Sequence, residues 1–503
     1  MTSKVFSVAH QGLHCQLVEV ETDVSRHLPA FILVGLPDAA VQEARERIRS
    51  ALENTHLPFP RSKVTVNLAP ANVRKEGTLY DLAIAMSILR AEDALPMAEE
   101  DMRAVYLGEL SLSGMLRSVK GALLTAAFLK ERGIRRLYLP AANAREAAYI
   151  EGVAVYPVSS VQELVSHLIG ERAIEPLSHT PLDKGEQAVS QFDFKEVRGQ
   201  AQAKRALEIA AAGGHNILLR GVPGSGKTML AKAFMSILPE PSVDEVLEVS
   251  KIYSYAGLLA PEKPLMSERP FRSPHHTASV ASIVGGGTWP KPGEITLAHR
   301  GVLFLDEFPE FPRSVLESLR QPLEDKVVTV SRVSGSLQFP AHFLLIAAQN
   351  PCPCGFLGDI ERDCICTPFQ REQYQRRVSG PLLDRIDLHV SVFPVKRELL
   401  MADISAETSE HVLGRVRAAH ILERARFAKK PNWFLNGDMD HRSLKRFARL
   451  DAGTQKILVD AAKKLQLSAR SFYKIIKIAR TIADLAGRSA IQEQDVLEAL
   501  QYR

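Results

Sequence analysis

The chain has 503 residues, of which 46% are hydrophobic and 24% are charged. This composition excludes a largely disordered chain and, at ~100–200 residues per domain, predicts about two to four folded domains. The formal net charge is only +5, so overall charge does not identify a nucleic-acid partner. No apolar run reaches the ~18–20 residues that cross a bilayer, and the N-terminus lacks a secretion signal. We therefore expect a soluble, cytoplasmic protein with no membrane partner.

The first 170 residues are predicted to form one α/β unit. Short β-prone apolar segments at 31–36 and 63–69 alternate with helical patterns such as VQEARERIRSALENT and LYDLAIAMSILRAE. Residues 171–192 are polar, contain two prolines and show no periodicity, which is typical of a linker.

Residues 193–395 show a different alternation of elements. The strand candidate HNILLRG leads through a Gly-rich loop into the helical MLAKAFMSIL, and further buried strands are predicted at 301–307 and 343–350. This order predicts a parallel sheet covered by helices on both faces. The pattern is mostly helical in 396–503, which predicts a separate helical domain.

The Gly-rich loop matches the phosphate-binding P-loop pattern at every position: Gly221, Val222, Pro223, Gly224, Ser225, Gly226, Lys227 and Thr228. Its glycines let backbone N–H groups face phosphate oxygens, and the following helix presents its positive N-terminus to them. Lys227 is predicted to contact the β- and γ-phosphates of ATP, and Thr228 to hold Mg²⁺. A chance Lys-Thr in a Gly-rich turn is the alternative, but the flanking strand and helix argue against it.

Two carboxylates close the apolar run 302–305. We predict that Asp306 orients Mg²⁺ and that Glu307 aligns or deprotonates the attacking water. Without a P-loop, a surface Asp-Glu pair ending a strand would be favoured. Asn350 ends the next strand and is predicted either to touch the γ-phosphate or the water, or to form a turn before Pro351.

The ordered motifs GVPGSGKT, GVLFLDE, LLIAAQNPCPCG and SGPLLDRIDLHV resemble the magnesium-chelatase branch of AAA+ ATPases. More specifically, the chain resembles the ComM/YifB family of competence-associated, magnesium-chelatase-like proteins. This resemblance covers nearly the whole chain and extends to the segment LSARSFYKIIKIARTIADL near its end. The resemblance implies the fold class: an α/β chain with a P-loop AAA+ parallel sheet at 193–395 and a helical lid at 396–503.

The same resemblance implies roles for single residues. Asn350 takes the sensor-1 position, Arg385 resembles an arginine finger that reaches a neighbour's γ-phosphate, and Arg470 resembles the sensor-2 arginine of the lid. Val197, ahead of the P-loop, would border the adenine. The resemblance also implies a homohexameric ring, and a finger that acts in trans requires at least one neighbouring subunit. From the residues alone, Arg385 could instead pair with a nearby aspartate and Arg470 could be a helix-surface charge.

Two segments resemble the insertions that line the ring's pore in this branch. Residues 323–343 predict a hairpin with its turn at Ser334-Gly335, and residues 269–294 are rich in Gly, Pro and His and too irregular for a core. Solvated charges on ordinary loops are the alternative. The predicted DNA contacts are Lys326, Arg332, Arg272, His275, His276 and Lys291.

Four of the five cysteines lie close together, as Cys352-x-Cys354 and Cys364-x-Cys366. Four thiolates complete the tetrahedral coordination of Zn²⁺ and leave no open position. Such a metal would therefore have a structural role and hold the loop after Asn350 in place. The spacing departs from the usual C-x₂₋₄-C, and free or transiently oxidised thiols are the alternative.

Residues 1–170 also resemble the substrate-facing domain of Lon proteases, in VNLAPANVRKEGTLYDLAIAM and YLGELSLSGMLRSVKGALL. Lon chemistry needs a serine nucleophile activated by a lysine. Leu79 and Tyr80 occupy the nucleophile's neighbourhood, although Lys120 lies near the expected lysine. We therefore expect a Lon-protease-like domain without the catalytic serine, which binds DNA or assists ring assembly.

Taken together, the resemblance implies an ATP-driven ring motor on single-stranded or branched duplex DNA. Its helicase or branch-migration activity would serve DNA recombination in natural transformation. The principal rival is a magnesium-chelatase-like ATPase that remodels a protein for metal insertion; an ATP-dependent protease and a non-motor DNA-binding switch are further rivals. The fused Lon-like domain favours the DNA motor, because chelatase ATPase subunits lack it.

Overall fold

The computed structural model describes residues 2–96, 98–181, 192–286, 291–332, 335–359, 361–394, 407–430 and 434–503. By its internal contacts the chain divides into two compact units. The first comprises Met1–Gly185 with Ser242–Ser267, and the second comprises Glu186–Pro241 with Glu268–Arg503. The segment Ser242–Ser267, which the sequence predicts as part of the ATPase core, thus packs with the first unit.

Both units combine strands and helices. The strands are β1 (Thr2–Gln11), β2 (His14–Ser25), β3 (Ala30–Val34), β4 (Lys63–Ala69), β5 (Val105–Tyr106), β6 (Glu109–Leu110), β7 (Leu116–Arg117), β8 (Arg136–Pro140), β9 (Ala154–Val158), β10 (Ile217–Gly221), β11 (Phe271–Arg272), β12 (Gly285–Gly286), β13 (Lys291–Pro292), β14 (Val302–Leu305), β15 (Val327–Arg332), β16 (Gly335–Pro340), β17 (Leu344–Gln349) and β18 (Leu388–Val392). The helices are α1 (Ala39–Gln42), α2 (Ala44–Asn54), α3 (Asp81–Ala91), α4 (Glu99–Met102), α5 (Ala122–Arg132), α6 (Ala141–Ala147), α7 (Val161–Leu168), α8 (Ala201–Gly213), α9 (Lys227–Ala233), α10 (Val243–Ala256), α11 (Val280–Val284), α12 (Glu294–Leu297), α13 (Arg313–Ser318), α14 (Arg320–Asp325), α15 (Pro368–Gln375), α16 (Gly380–Leu383), α17 (Ser409–Arg426), α18 (His441–Phe447), α19 (Ala452–Lys464), α20 (Ala469–Leu485) and α21 (Glu493–Leu500).

A seven-stranded mixed sheet forms the centre of the first unit, with strand order β3-β4-β2-β1-β5-β8-β9. Strands β1 and β2 pair antiparallel as a long hairpin, whereas β5, β8 and β9 pair parallel to one another. Helix α3 is apolar around most of its circumference, and all its residues except Arg90 are buried. A helix of that composition has to be enclosed, and α3 is the central element of this core.

Helix α10 packs against α5 within the first unit. It begins with a capping box between Ser242 and Glu245 and ends at Gly257, whose φ is +71°. The aliphatic part of the Lys120 side chain lies against Gly257, since a Cβ added to Gly257 would be 2.7 Å from Lys120 Cε. Lys120 is the lysine predicted to lie near the position of the catalytic lysine in Lon proteases. Tyr80, which lies in the region where Lon proteases carry their nucleophilic serine, is buried.

The second unit is built on a five-stranded sheet with strand order β11-β14-β17-β10-β18. All its pairings are parallel, as the alternation of strands and helices predicts. The interior strand β14, between β11 and β17, is buried at every residue, which explains its unbroken apolar sequence. Strands β15 and β16 form the predicted hairpin from Val327↔Pro340 to Arg332↔Gly335, and Ser334 of the predicted turn lies outside the described residues.

The C-terminal helices share one apolar core with this sheet. Val416 of α17 and Ile475 of α20 are fully buried in the cluster that contains Ile217 of β10 and Ile346 of β17. The predicted parallel sheet with C-terminal helices packed on it is therefore confirmed. No helix in the described part of the chain is long and apolar enough to cross a membrane.

A buried ion cluster ties the helical region together. The Asp484 carboxylate, whose side chain has no exposed surface, accepts hydrogen bonds from Arg426 at 2.6 and 2.5 Å and from Arg480 at 2.8 Å. Asn436 donates to it as well, at 2.8 Å. Two guanidiniums thus share the Asp484 carboxylate as a hydrogen-bonded ion-pair partner.

Replacing Asp484 by Ala should destabilise the second unit strongly, because it leaves two largely buried guanidiniums without a counter-charge. We expect the free energy of unfolding to fall by roughly 3–5 kcal/mol, measured by chemical denaturation. Asp460→Ala, the same substitution at an exposed position of α19, is the control and should leave the midpoint unchanged. Equal midpoints for the two variants would show that the cluster contributes little.

Candidate functional site

The P-loop runs from the end of β10 to the start of α9. Gly224 and Gly226 have φ values of +76° and +92°, a left-handed backbone that favours glycine. At Gly221 an added Cβ would lie 2.2 Å from the carbonyl oxygen of Val392 in β18, so no larger residue fits beside that strand. The glycines of the motif therefore determine the shape of this loop.

The Lys227 ammonium is held inside the P-loop and is 8% exposed. Its Nζ donates to the carbonyl oxygens of Gly221 at 2.8 Å and Val222 at 2.9 Å, and to Oδ1 of Asn350 at 3.1 Å. Burial lowers the pKa of Lys227, and the nearby carboxylates of Asp306 and Glu307 oppose that shift. A partly desolvated ammonium with neutral direct partners is suited to an anionic ligand such as phosphate.

Hydroxyl and carboxylate oxygens meet at the mouth of the loop. Thr228 Oγ1 donates to Asp306 Oδ2 at 2.9 Å, and the backbone N–H of Glu307 donates to Asp306 Oδ1, also at 2.9 Å. Oxygen ligands of this kind suit Mg²⁺. Glu307 has a φ of +51°, which is uncommon for a residue other than glycine. The predicted magnesium and water-activating residues thus lie next to Lys227.

Two histidines that we predict as DNA contacts lie beside Glu307. His276 Nδ1 is 2.9 Å from Glu307 Oε2, and the rings of His275 and His276 have centroids 4.1 Å apart. Both follow β11, which pairs parallel with β14, the strand that precedes Glu307. Their distance from Glu307 along the chain gives no sign of this contact, which only the order of the strands creates.

Gln200 is a further residue at the P-loop. Its Nε2 donates to the carbonyl oxygens of Ser225 at 3.2 Å and Phe393 at 2.5 Å. Val197 is 4% exposed and belongs to the apolar core beside the sheet. The segment that should border the adenine is therefore connected to the phosphate-binding loop by a side-chain hydrogen bond.

Arg385 and Arg470 converge on one carboxylate, that of Glu324. Arg385 Nη2 donates to Glu324 Oε2 at 2.6 Å and its Nη1 to the carbonyl oxygen of Pro381 at 2.6 Å, while Arg470 contacts Glu324 Oε1. The neighbouring aspartate Asp387 pairs instead with Lys474 at 2.8 Å. The predicted arginine finger and sensor-2 arginine thus contact the same carboxylate, and no pattern in the sequence indicated this shared partner.

These arginines line a cleft of about 990 Å³ in the second unit. Among the residues that the structure describes, none of the P-loop lines this cleft. Lys326, a predicted DNA contact, also lines it and lies 3.6 Å from Asp438. The cleft therefore carries several cations that face a common space.

The other predicted DNA contacts lie in the short strands β11 and β13 and at the end of β15. Arg272 donates to Glu294 at 2.6 and 2.8 Å, so an acidic residue of its own chain partly offsets its charge. Lys291 is exposed in β13. The side chain of Arg332, at the end of β15, lies outside the described residues.

The four clustered cysteines come together with their sulfurs all within 4.8 Å of one another. Cys352 Sγ lies 3.4 Å from that of Cys354 and 3.6 Å from that of Cys364, and the Cys354–Cys364 distance is also 3.6 Å. A tetrahedral Zn²⁺ about 2.3 Å from each sulfur needs sulfur–sulfur edges of about 3.8 Å. Disulfides need about 2.05 Å. The donor set therefore fits zinc and not a pair of disulfides.

Three family models match the chain along most of its length. "Subunit ChlI of Mg-chelatase" matches residues 20–143, "Magnesium chelatase, subunit ChlI" matches 193–400, and "Magnesium chelatase, subunit ChlI C-terminal" matches 406–503. All three describe one ATPase subunit of an AAA+ group, consistent with the observed sheet and P-loop.

Curated relatives match from end to end. The chain is 41% identical to YifB of Escherichia coli (strain K12) over 503 residues, which is 100% of this chain and 97% of that protein. It is also 41% identical to Competence protein ComM of Haemophilus influenzae over 508 residues, covering 99% and 97% of the two chains. The magnesium-chelatase 67 kDa subunit of Chlorobaculum parvum is 27% identical over 183 residues, 35% of this chain and 26% of the subunit. Identity at this level over the whole length, together with the assembled P-loop site, shows that the chain belongs to the ComM/YifB family of magnesium-chelatase-like AAA+ ATPases.

Proposed function

We propose that this protein is an ATP-driven ring motor that acts on DNA. The observation that carries the proposal is the joint placement of Lys227, Thr228, Asp306 and Glu307 at one edge of the parallel sheet. In this proposal residues 193–395 form the motor core and residues 396–503 its lid. The working assembly is a cytoplasmic homohexamer.

The proposed chemistry follows from the positions of the side chains. Lys227 exchanges its carbonyl contacts for the β- and γ-phosphate oxygens. Thr228 and Asp306 would hold Mg²⁺, which would supply charge neutralisation at the phosphates. Glu307 orients the attacking water and accepts its proton, and Asn350 keeps contact with Lys227 near the terminal phosphate. Val197 and Gln200 lie on the base side of the loop.

Lys227→Ala and Glu307→Gln should separate binding from turnover. Loss of the ammonium should weaken binding of a fluorescent ATP analogue, whereas Glu307→Gln should leave binding intact and reduce ATP turnover by about 10²-fold or more. Glu310→Gln, a nearby exposed carboxylate, is the control for Glu307→Gln and should hydrolyse normally. Normal turnover by the Glu307→Gln variant would remove Glu307 from the mechanism.

The placement of Arg385 and Arg470 supports action between subunits. Both arginines line a cleft to which no described P-loop residue contributes. A phosphate bound there would therefore belong to the nucleotide of a neighbouring subunit. A guanidinium supplied across an interface neutralises the transition state and couples hydrolysis to assembly.

A mixing experiment tests this arrangement. Arg385→Ala alone should bind nucleotide and lose about 10³-fold in turnover. When Arg385→Ala and Lys227→Ala subunits, each inactive, are mixed, partial turnover should return, because one supplies the P-loop and the other the arginine. No recovery in mixed rings of confirmed composition would place Arg385 in cis.

The proposal of DNA as substrate rests on the hairpin, the basic loops and the family. The relative named Competence protein ComM matches the whole chain, which supports a role in integrating DNA during natural transformation, by helicase or branch-migration activity. On this proposal Lys326, Arg332, Arg272, His275, His276 and Lys291 face the DNA. The first unit binds DNA or assists ring assembly.

A second candidate function is remodelling of a protein partner for metal insertion. The observation that favours it is that all three matching family models describe a magnesium-chelatase subunit, including the model over 20–143, a region that we expected chelatase subunits to lack. The chelatase 67 kDa subunit, however, covers only 35% of the chain, whereas ComM and YifB cover its whole length.

ATP turnover measured with different partners decides between the two. We expect single-stranded or branched duplex DNA to stimulate turnover several-fold and an unfolded protein to leave it unchanged. Lys291→Glu should reduce the stimulation, whereas Lys463→Glu, an exposed lysine of α19, is the charge-matched control. Stimulation by protein but not by DNA would favour the chelatase-like function.

We also propose that Cys352, Cys354, Cys364 and Cys366 bind one structural Zn²⁺ per chain. The sulfur distances are close to those of a tetrahedral site. The backbone N–H of Cys354 also donates to Cys366 Sγ at 3.4 Å, the kind of hydrogen bond that supports metal-bound thiolates.

A further inference from the structure

The loop that carries the four cysteines folds back onto the P-loop. It connects β17 to α15, and its turn at Gly355 has a φ of +86°. A Cβ added to Gly355 would lie 2.6 Å from Cγ and 2.7 Å from Cδ of Pro223, the third residue of the P-loop motif. The cysteine loop and the phosphate-binding loop are therefore packed without room for a methyl group.

The same turn is connected to the cysteines themselves. The N–H of Gly355 donates to the carbonyl oxygen of Cys352 at 3.0 Å, and Cys354 directly precedes Gly355. The backbone that carries these two cysteines therefore also forms the turn that contacts Pro223.

Two more contacts run between the start of the cysteine loop and the nucleotide pocket. The carbonyl oxygen of Pro351 accepts from Arg220 Nη2 at 3.4 Å, and Arg220 immediately precedes the P-loop motif. Asn350, which precedes Pro351, accepts from Lys227 Nζ. One short stretch of chain thus contacts the P-loop at its lysine, its proline and its preceding strand.

We propose that metal binding by the four cysteines stabilises the nucleotide-binding conformation of the P-loop, so that zinc occupancy sets the affinity for nucleotide. This inference rests on the proposed ATPase function and extends it to regulation. A closed four-thiolate site orders the loop that carries the cysteines, and the free energy of metal binding stabilises that ordered loop. The ordered loop then holds Pro223 and Asn350 in place.

Linkage makes the effect reciprocal. If zinc raises the affinity for nucleotide by some factor, nucleotide must raise the affinity for zinc by the same factor. Zinc release is therefore a readout that does not depend on hydrolysis.

A pair of glycine substitutions isolates the contact with Pro223. Gly358 lies in the same loop with a φ of +84°, but an added Cβ there meets nothing within 4 Å. Gly355→Ala and Gly358→Ala therefore carry a similar conformational cost for a left-handed backbone, and only Gly355→Ala adds a steric clash with the P-loop. We expect both full-length variants to retain one zinc per chain, and only Gly355→Ala to bind a fluorescent ATP analogue about tenfold more weakly.

Removal of a ligand tests the metal itself. Cys364→Ser should lose zinc and bind the analogue about as weakly as Gly355→Ala, and the double variant should be no weaker, because both changes act on one contact. Cys15→Ser, in the other unit, is the matched control. In the wild-type chain, saturating ADP should slow zinc release to a chromogenic chelator about tenfold, and this protection should be smaller in Gly355→Ala.

Several results would overturn the inference. Equal nucleotide affinity of Gly355→Ala and Gly358→Ala would do so, as would normal affinity of a folded, zinc-free Cys364→Ser variant, or a wild-type chain that binds nucleotide normally without zinc. A wild-type chain that holds zinc and binds no nucleotide would instead contradict the proposed ATPase function.

Discussion

The buried ammonium of Lys227 is the group on which the site depends. It is held by two carbonyl oxygens of its own loop and by the amide oxygen of Asn350, which follows β17, and no carboxylate of the described residues is in direct contact with it. Burial disfavours its charge, and a phosphate anion would restore the balance. The glycines at 221, 224 and 226 make this possible, because they allow the loop to close around the lysine and to pack against β18.

Parallel strand order explains why the other groups meet there. Strands β10, β14 and β17 are adjacent and run in the same direction, so residues that follow their carboxyl ends gather at one edge of the sheet. Gly221, Asp306 and Asn350 occupy these three positions. The position of β11 beyond β14 places His276 against Glu307 in the same way. The site is thus a consequence of topology as much as of the individual residues.

Two groups of residues extend this site beyond the P-loop. Arg385 and Arg470 share Glu324 in a separate cleft, an arrangement suited to a neighbour's phosphate. The cysteine loop follows directly from Asn350 and packs on Pro223, which connects a metal-binding donor set to the nucleotide pocket. On these proposals, subunit assembly would act on the bound nucleotide and metal binding would act on the loop that holds it.

The sequence by itself determined the elements whose signal is local. The P-loop is contiguous, the apolar run before Asp306 predicts a buried strand, and the alternation of elements predicts the parallel sheet that the structure shows. Cysteine clustering within a short segment likewise needs no tertiary knowledge. Only the tertiary structure decided the pairings that span long separations: His276 with Glu307, Arg385 and Arg470 with Glu324, and Gly355 with Pro223. It also decided that Ser242–Ser267 packs with the first unit although the ATPase core surrounds this segment in the chain. These outcomes depend on which apolar faces cover one another, and a periodic pattern shows that a face is apolar without showing which partner it buries against.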